Sequence, residues 1–305
     1  MKPIRPAQVQ DHLTLLGLGA VWGSAFLCIS IALRDFPPLS IAAIRIAIGA
    51  LALLLVTRLR GLPLPGGGRT WALLLVIGAL NSSVPFSLIS FGQQSISSGT
   101  SAMLISTAPF AALAVAHWLT HDDRISRRKL VGLILGFSGV LVLVGPDVLA
   151  SRNDAVSGQL MVLLAAFCYG SSSILIRRIS HIDSLVSSAA VLLVTSAYFL
   201  PLALYLEAPW RVSPEPASLM ALVYLGLVPT AFAYLLRFWL INRAGTVYVS
   251  QVSYLVPLFA LFWGWLFLSE VPDQTTWLAL MLILAGIAAN SWPRRRSVAV
   301  PEPLK

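Results

Sequence analysis

Two arginines and a scatter of hydroxyl, amide, thioether and ring side chains interrupt long apolar runs in this chain, and they set its possible chemistry. The arginines are Arg45, within "AAIRIAIGAL", and Arg237, within "YLLRFWL". The neutral set comprises Trp22, Ser24, Asn81, Ser82, Met103, Ser106, Thr107, Tyr169, Tyr234, Gln251 and Tyr254. Residues of these types bind small molecules: hydroxyls and amides serve an ammonium or a carboxylate, and ring faces hold an apolar or cationic part. Catalysis has less to work with. The four histidines, His12, His117, His121 and His181, are not paired as metal ligands, and no Gly-x-Ser-x-Gly occurs. No enzyme activity, metal or cofactor is therefore expected, and an intramembrane enzyme stands as a remote alternative. Cys28 and Cys168 read as small buried hydrophobes.

The acidic residues narrow the solute. All twelve of them fall in tails, loops or the ends of apolar runs. A proton-driven exporter of organic cations needs a carboxylate inside the membrane, so that function is only the alternative. Phosphorylated solutes would call for several buried cations, and only Arg45 and Arg237 qualify. A neutral or zwitterionic metabolite remains. Arg45, roughly 10 Å deep at 1.5 Å per residue, is expected either to serve function or to lock two helices through carbonyls or Glu270. Arg237 is expected to anchor one end of its run, or else to hold a substrate carboxylate near an inner gate.

The elements that must position these residues are membrane spans. Of 305 residues, 57% are hydrophobic and 11% charged, against roughly 25% charged in soluble domains. Windows of about 20 residues mark ten spans, at 13–33, 38–58, 70–91, 99–119, 130–147, 158–178, 185–206, 217–240, 246–267 and 273–292. Span 1 is too long for a signal-peptide core, and Arg34-Asp35 follows it. Sorting Lys and Arg by loop places sixteen on one side and three, Arg34, Arg152 and Arg211, on the other. That bias predicts both termini in the cytoplasm and assigns the positive charge to topology, not to nucleic acid.

The spans come in two sets. Gly78, Ser82, Pro109 and Asp122 recur as Gly226, Thr230, Pro257 and Glu270, and Trp22-Gly23-Ser24 answers Tyr169-Gly170-Ser171. Five spans per copy force the second copy to enter from the opposite face, so the fold expected is all-α, with two inverted five-helix repeats divided as 1–150 and 151–305. A substrate site then lies where the repeats meet. In span 4, Met103, Ser106 or Thr107, and Phe110 share a face, and Gln251 and Tyr254 hold the equivalent places of Met103 and Ser106 in span 9. Pro109 and Pro257 are candidate gating kinks.

The stretches "FGQQSISSGTSAMLISTAPFAALAVAHWLTHDD" and "INRAGTVYVSQVSYLVPLFALFWGWLFLSEVPD" resemble the EamA repeat of the drug/metabolite transporter superfamily. Trp22-Gly23, Arg45 and the Gly-Trp-Leu-Phe-Leu-Ser-Glu run ending at Glu270 carry the likeness. Asp122-Asp123 departs from it, since Glu is usual there. The resemblance implies a ten-helix carrier of the bacterial inner membrane, like exporters of amino acids and metabolites, working by alternating access. Its expected partners are a small-molecule substrate and the lipid bilayer, and a single chain is expected to suffice.

Overall fold

The computed structural model describes residues 8–119 and 127–291. Nearly every apolar run is helical, because a backbone taken out of water must satisfy its own polar groups and a helix does so within one segment. No strand occurs among the described residues. The helices are α1 (Val9–Ala32), α2 (Pro38–Leu59), α3 (Gly68–Gly92) and α4 (Ser98–Ile105, then Ala108–Leu119), followed by α5 (Arg127–Leu149). The second half contains α6 (Asn153–Ile176), α7 (Ser184–Glu207), α8 (Pro216–Ala244), α9 (Thr246–Val249, then Val252–Leu268) and α10 (Gln274–Ser291). Among the described residues eight helical stretches are long and apolar enough to cross a membrane, and the long piece of α9 and most of α10 are shorter apolar helices.

Two expected spans are not continuous. Helix α4 breaks at Ser106 and Thr107, because Pro109 has no N–H to give the carbonyl of Ile105, the last residue of the first piece. Helix α9 breaks at Ser250 and Gln251. Two further helices change pitch: α3 runs as a π-helix over Ala79–Ser83 and α8 over Gly226–Phe232. Pro229 would have bonded the Leu225 carbonyl, and the Thr230 hydroxyl donates to that carbonyl instead, at 2.7 Å.

Packing follows the repeat. Helix α1 lies on α9 as α6 lies on α4, and α8 lies on α1 as α3 lies on α6. The pairs α2 with α7, and α5 with α10, join equivalent helices directly. Glycine permits the closest of these approaches. A Cβ on Gly23 would sit 2.7 Å from Phe259 Cβ, and one on Gly170 would sit 2.5 Å from the Ala112 nitrogen. Those two glycines are the repeat-related pair read from the sequence, each set against the proline-bearing helix of the other half. Outside, Leu51, Leu55, Phe137, Leu141, Phe267 and Met281 are exposed, as suits a lipid-facing surface.

Candidate functional site

Where the two sets of helices meet, a cavity of about 280 Å³ lies in the middle of the bundle. Trp22, Ala25, Phe26 and Ile29 of α1, Arg45 of α2, and Asn81, Phe86 and Ile89 of α3 form one side. Ile105, Ser106, Ala108 and Pro109 of α4, Tyr169 of α6, Pro229, Tyr234 and Arg237 of α8, and Val252, Ser253 and Val256 of α9 complete it. A second cavity of about 510 Å³ adjoins it among α3, α6, α7 and α8, and Asn81, Tyr234 and Arg237 line both. Five serines, Ser173, Ser180, Ser184, Ser187 and Ser188, and Arg177 line the outer part of this second cavity. Neither lining contains a carboxylate among the described residues.

The π-helical turn of α8 is pinned from two sides. Trp22 Nε1 donates to the Pro229 carbonyl at 3.1 Å. Arg45, only 5% exposed, donates from Nε at 3.3 Å and Nη2 at 3.1 Å to Thr230 Oγ1. The guanidinium also lies 3.9 Å above the centre of the Phe86 ring. These contacts correct one expectation: Glu270 is not the partner of Arg45. It sits at the end of the bundle, capping the first turn of α4. Asp11, expected with the other acids in a tail, loop or span end, belongs to the first turn of α1, where it is fully buried and accepts from Arg243 Nε at 2.9 Å.

The matching turn of α3 is held differently. Asn81 Oδ1 accepts from the Ser172 hydroxyl at 3.1 Å, and Asn81 Nδ2 donates to the Tyr234 hydroxyl oxygen at 3.4 Å. Ser83 and Tyr198 share a hydroxyl hydrogen bond of 2.7 Å.

Of the residues singled out from sequence, the cavity brings together Trp22, Arg45, Asn81, Ser106, Pro109, Tyr169, Tyr234 and Arg237. The others lie elsewhere. Met103 is fully buried in a core cluster with Leu104, Phe110 and Ile283, so the face it shares with Phe110 meets the core and not the cavity. Thr107 donates to the Leu104 carbonyl at 2.6 Å, and Ser24 Oγ lies 2.8 Å from the Val21 carbonyl and 2.9 Å from the Tyr224 hydroxyl of α8, so neither hydroxyl lines the cavity. Ser82 is fully buried in the π-turn. Gln251 is exposed at the α9 break, Tyr254 packs against the cluster that holds Met103, and Pro257 is buried within α9. Asp122, the expected counterpart of Glu270, lies outside the described residues. Sequence reasoning passed over Phe86, Val252 and Val256, because an apolar residue in an apolar helix carries no mark of the surface it faces.

The family model described as "EamA-like transporter family" matches residues 12–145 and again 156–292. The uncharacterized transporter YoaV of Bacillus subtilis (strain 168) is 26% identical over 285 residues, covering 93% of this chain and 97% of its own. A probable amino-acid metabolite efflux pump of Escherichia coli (strain K12) is 27% identical over 304 residues, covering 95% of this chain and 98% of its own. A crystal structure 20% identical superposes with a TM-score of 0.67 over 95% of this chain and all of that one, which shows the shared fold.

Proposed function

The chain belongs to the EamA-like transporter family, and we propose that it carries small neutral or zwitterionic metabolites by alternating access through the central cavity. Amino acids with aromatic or other bulky apolar side chains are the substrates this reading favours. One observation carries it: the cavity lies where the repeats meet, is walled by Trp22, Phe86 and Tyr169, and has polar groups gathered toward one end. The relative named as an amino-acid metabolite efflux pump supports the same solute class. A solute enters through the serine-lined cavity, passes Asn81, Tyr234 and Arg237, and rests against the rings. Closure behind it and opening ahead then complete a cycle whose net direction is set by the solute gradient.

In our reading the chain works as a monomer in a bacterial inner membrane, with both termini cytoplasmic and repeats spanning 1–150 and 151–305. The end bearing Arg177 then faces the cytoplasm and the structure is inward-open. A lining without carboxylates favours facilitated movement over proton exchange.

Uptake of labelled amino acids into proteoliposomes, with and without a pH gradient, tests this. Uptake that follows the solute gradient and ignores pH is the expected result. Uptake that requires the pH gradient would replace facilitation with proton coupling, and no uptake of any amino acid would remove the substrate assignment.

A further inference from the structure

The two guanidiniums of the cavity are not in the same situation. Arg45 is buried and engaged, with Thr230 on its edge and the Phe86 ring on its face. Arg237 is exposed, lies where the two cavities meet, and makes no ion pair among the described residues. A guanidinium inside a membrane bundle calls for a counter-charge, and no lining residue of either cavity supplies one.

The groups beside it are arranged as donors. Tyr234 and Arg237 are three residues apart on α8 and share a face. Because the Tyr234 oxygen accepts from Asn81 Nδ2, its own proton is left to donate elsewhere. The Asn81 amide is oriented in turn by the Ser172 hydroxyl on its oxygen. A phenol O–H and a planar guanidinium fork thus face a space open to solute, a combination suited to a carboxylate. Nothing comparable awaits an ammonium, which would want an acid.

We propose that Arg237 and Tyr234 form a carboxylate-binding subsite, and that the carrier selects apolar monocarboxylates whether or not they bear an α-ammonium. The proposal rests on the transport reading above and extends its substrate class from zwitterions to apolar monoanions. The carboxylate sits at the junction of the cavities and the apolar body points toward Phe26, Ile29 and Phe86. An aromatic amino acid is then one member of a set that includes the acid lacking the amine. An amine lacking the acid is excluded, since it would bring a positive charge to Arg237.

Binding to the purified full-length chain in detergent, followed by calorimetry, tests the subsite independently of transport. The probes are phenylalanine, 3-phenylpropionate and phenylalaninamide. The first two should bind within a few-fold of each other, and the amide at least about tenfold more weakly. Arg237→Gln should erase that preference, Arg237→Lys should keep part of it, and Tyr234→Phe should weaken both acids several-fold without affecting the amide. Equal binding of amide and acids by the wild type, or a preference that survives Arg237→Gln, would overturn the proposal. Loss of all binding in Arg237→Gln alone would be judged by Arg237→Lys and Tyr234→Phe: if both bind all three probes as the wild type does, the role is structural and the proposal falls. Proteoliposomes without uptake would count against the transport reading, while the binding order would still decide the subsite.

Discussion

The two ends of the bundle are built from the same kinds of helix, yet among the described residues only one has carboxylates that cap helices across the repeats. At the other the halves are tied along α1 instead, where Asp11 accepts from Arg243 Nε and His12 bonds the Tyr248 hydroxyl. At the first end, Glu207 at the close of α7 accepts from Leu39 N at 3.0 Å, Ser40 N at 2.6 Å and Ser40 Oγ at 2.8 Å, capping α2. Glu270, just past α9, accepts from Ser98 N at 3.0 Å, Ser98 Oγ at 2.7 Å and Gly99 N at 3.4 Å, capping α4. Each acid belongs to the second set and caps its own counterpart in the first, so charge meets the positive end of a helix dipole and holds the halves together. At the other end, α7 is capped by its own neighbour: Asp183 accepts from Leu185 N at 2.8 Å and Val186 N at 3.3 Å. That cap binds α7 to nothing else, and the larger cavity lies there. A carboxylate that caps across an interface closes a door; one that caps locally leaves it free.

Removing the crossing caps is the strongest way to break this comparison. Each Glu→Ala change should cost the closed arrangement about 1–2 kcal/mol, so Glu207→Ala with Glu270→Ala together should shift the balance by about thirtyfold to several hundredfold. The readout is the labelling rate of a cysteine at Ser253 in a Cys28→Ala, Cys168→Ala background, using an impermeant maleimide applied from the Glu207 side. Faster labelling in the double variant, intermediate labelling in each single one, and no change in Asp183→Ala are expected. Equal rates in all four would show that the caps do not hold the end shut.

A smaller effect should come from the prolines between the ends. Pro109 lines the cavity beside the α4 break, whereas Pro257 is buried in an unbroken stretch of α9. Pro109→Ala restores a backbone donor at a broken turn and should slow transport several-fold with little change in substrate affinity. Pro257→Ala should alter the rate less. Single-turnover exchange in proteoliposomes would compare them, and a larger effect at Pro257 would reverse the assignment of the hinge.

How much of this was legible before folding depended on whether a residue's surroundings followed from its phase along a helix. The ten spans were legible, since apolar length alone dictates them, and so were Gly23 and Gly170, whose neighbours Trp22 and Tyr169 repeat. The place of Met103 was not. Three-to-four spacing puts Met103 and Phe110 on one face and they do share a cluster, but spacing does not say whether that face meets the core or the cavity. Adjacent helical residues point about 100° apart, and in the π-turn of α3 Asn81 reaches the cavity while Ser82 is sealed in the core. Glu270 was legible as a span-end acid, but its partner, the first turn of α4, is a property of the assembled bundle.

The end with the crossing caps also contains a third carboxylate, and it gives the mildest test. Asp35, in the turn between α1 and α2, accepts from Glu215 N at 2.9 Å. The Ser218 hydroxyl beside it, the Glu215 N–H and the nearby Arg34 hold its carboxyl below the usual carboxylate range. A depressed folded-state pKa means the contact is intact above the ordinary carboxylate pKa of about 3.9 and is lost as pH falls through the lower, folded value. Acidifying that face to about pH 5, still above the ordinary value, should therefore leave α1 and the start of α8 in register, and separation should begin only in stronger acid. Asp35 is partly exposed, so solvent screening keeps the effect small. Spin-label distances between the two helix ends, taken as pH is lowered, would register it, and Asp35→Asn should lose that pH dependence. A separation that begins near neutral pH in the wild type would place the pH-sensitive contact on another group and would make this end less firmly stitched than its two crossing caps imply.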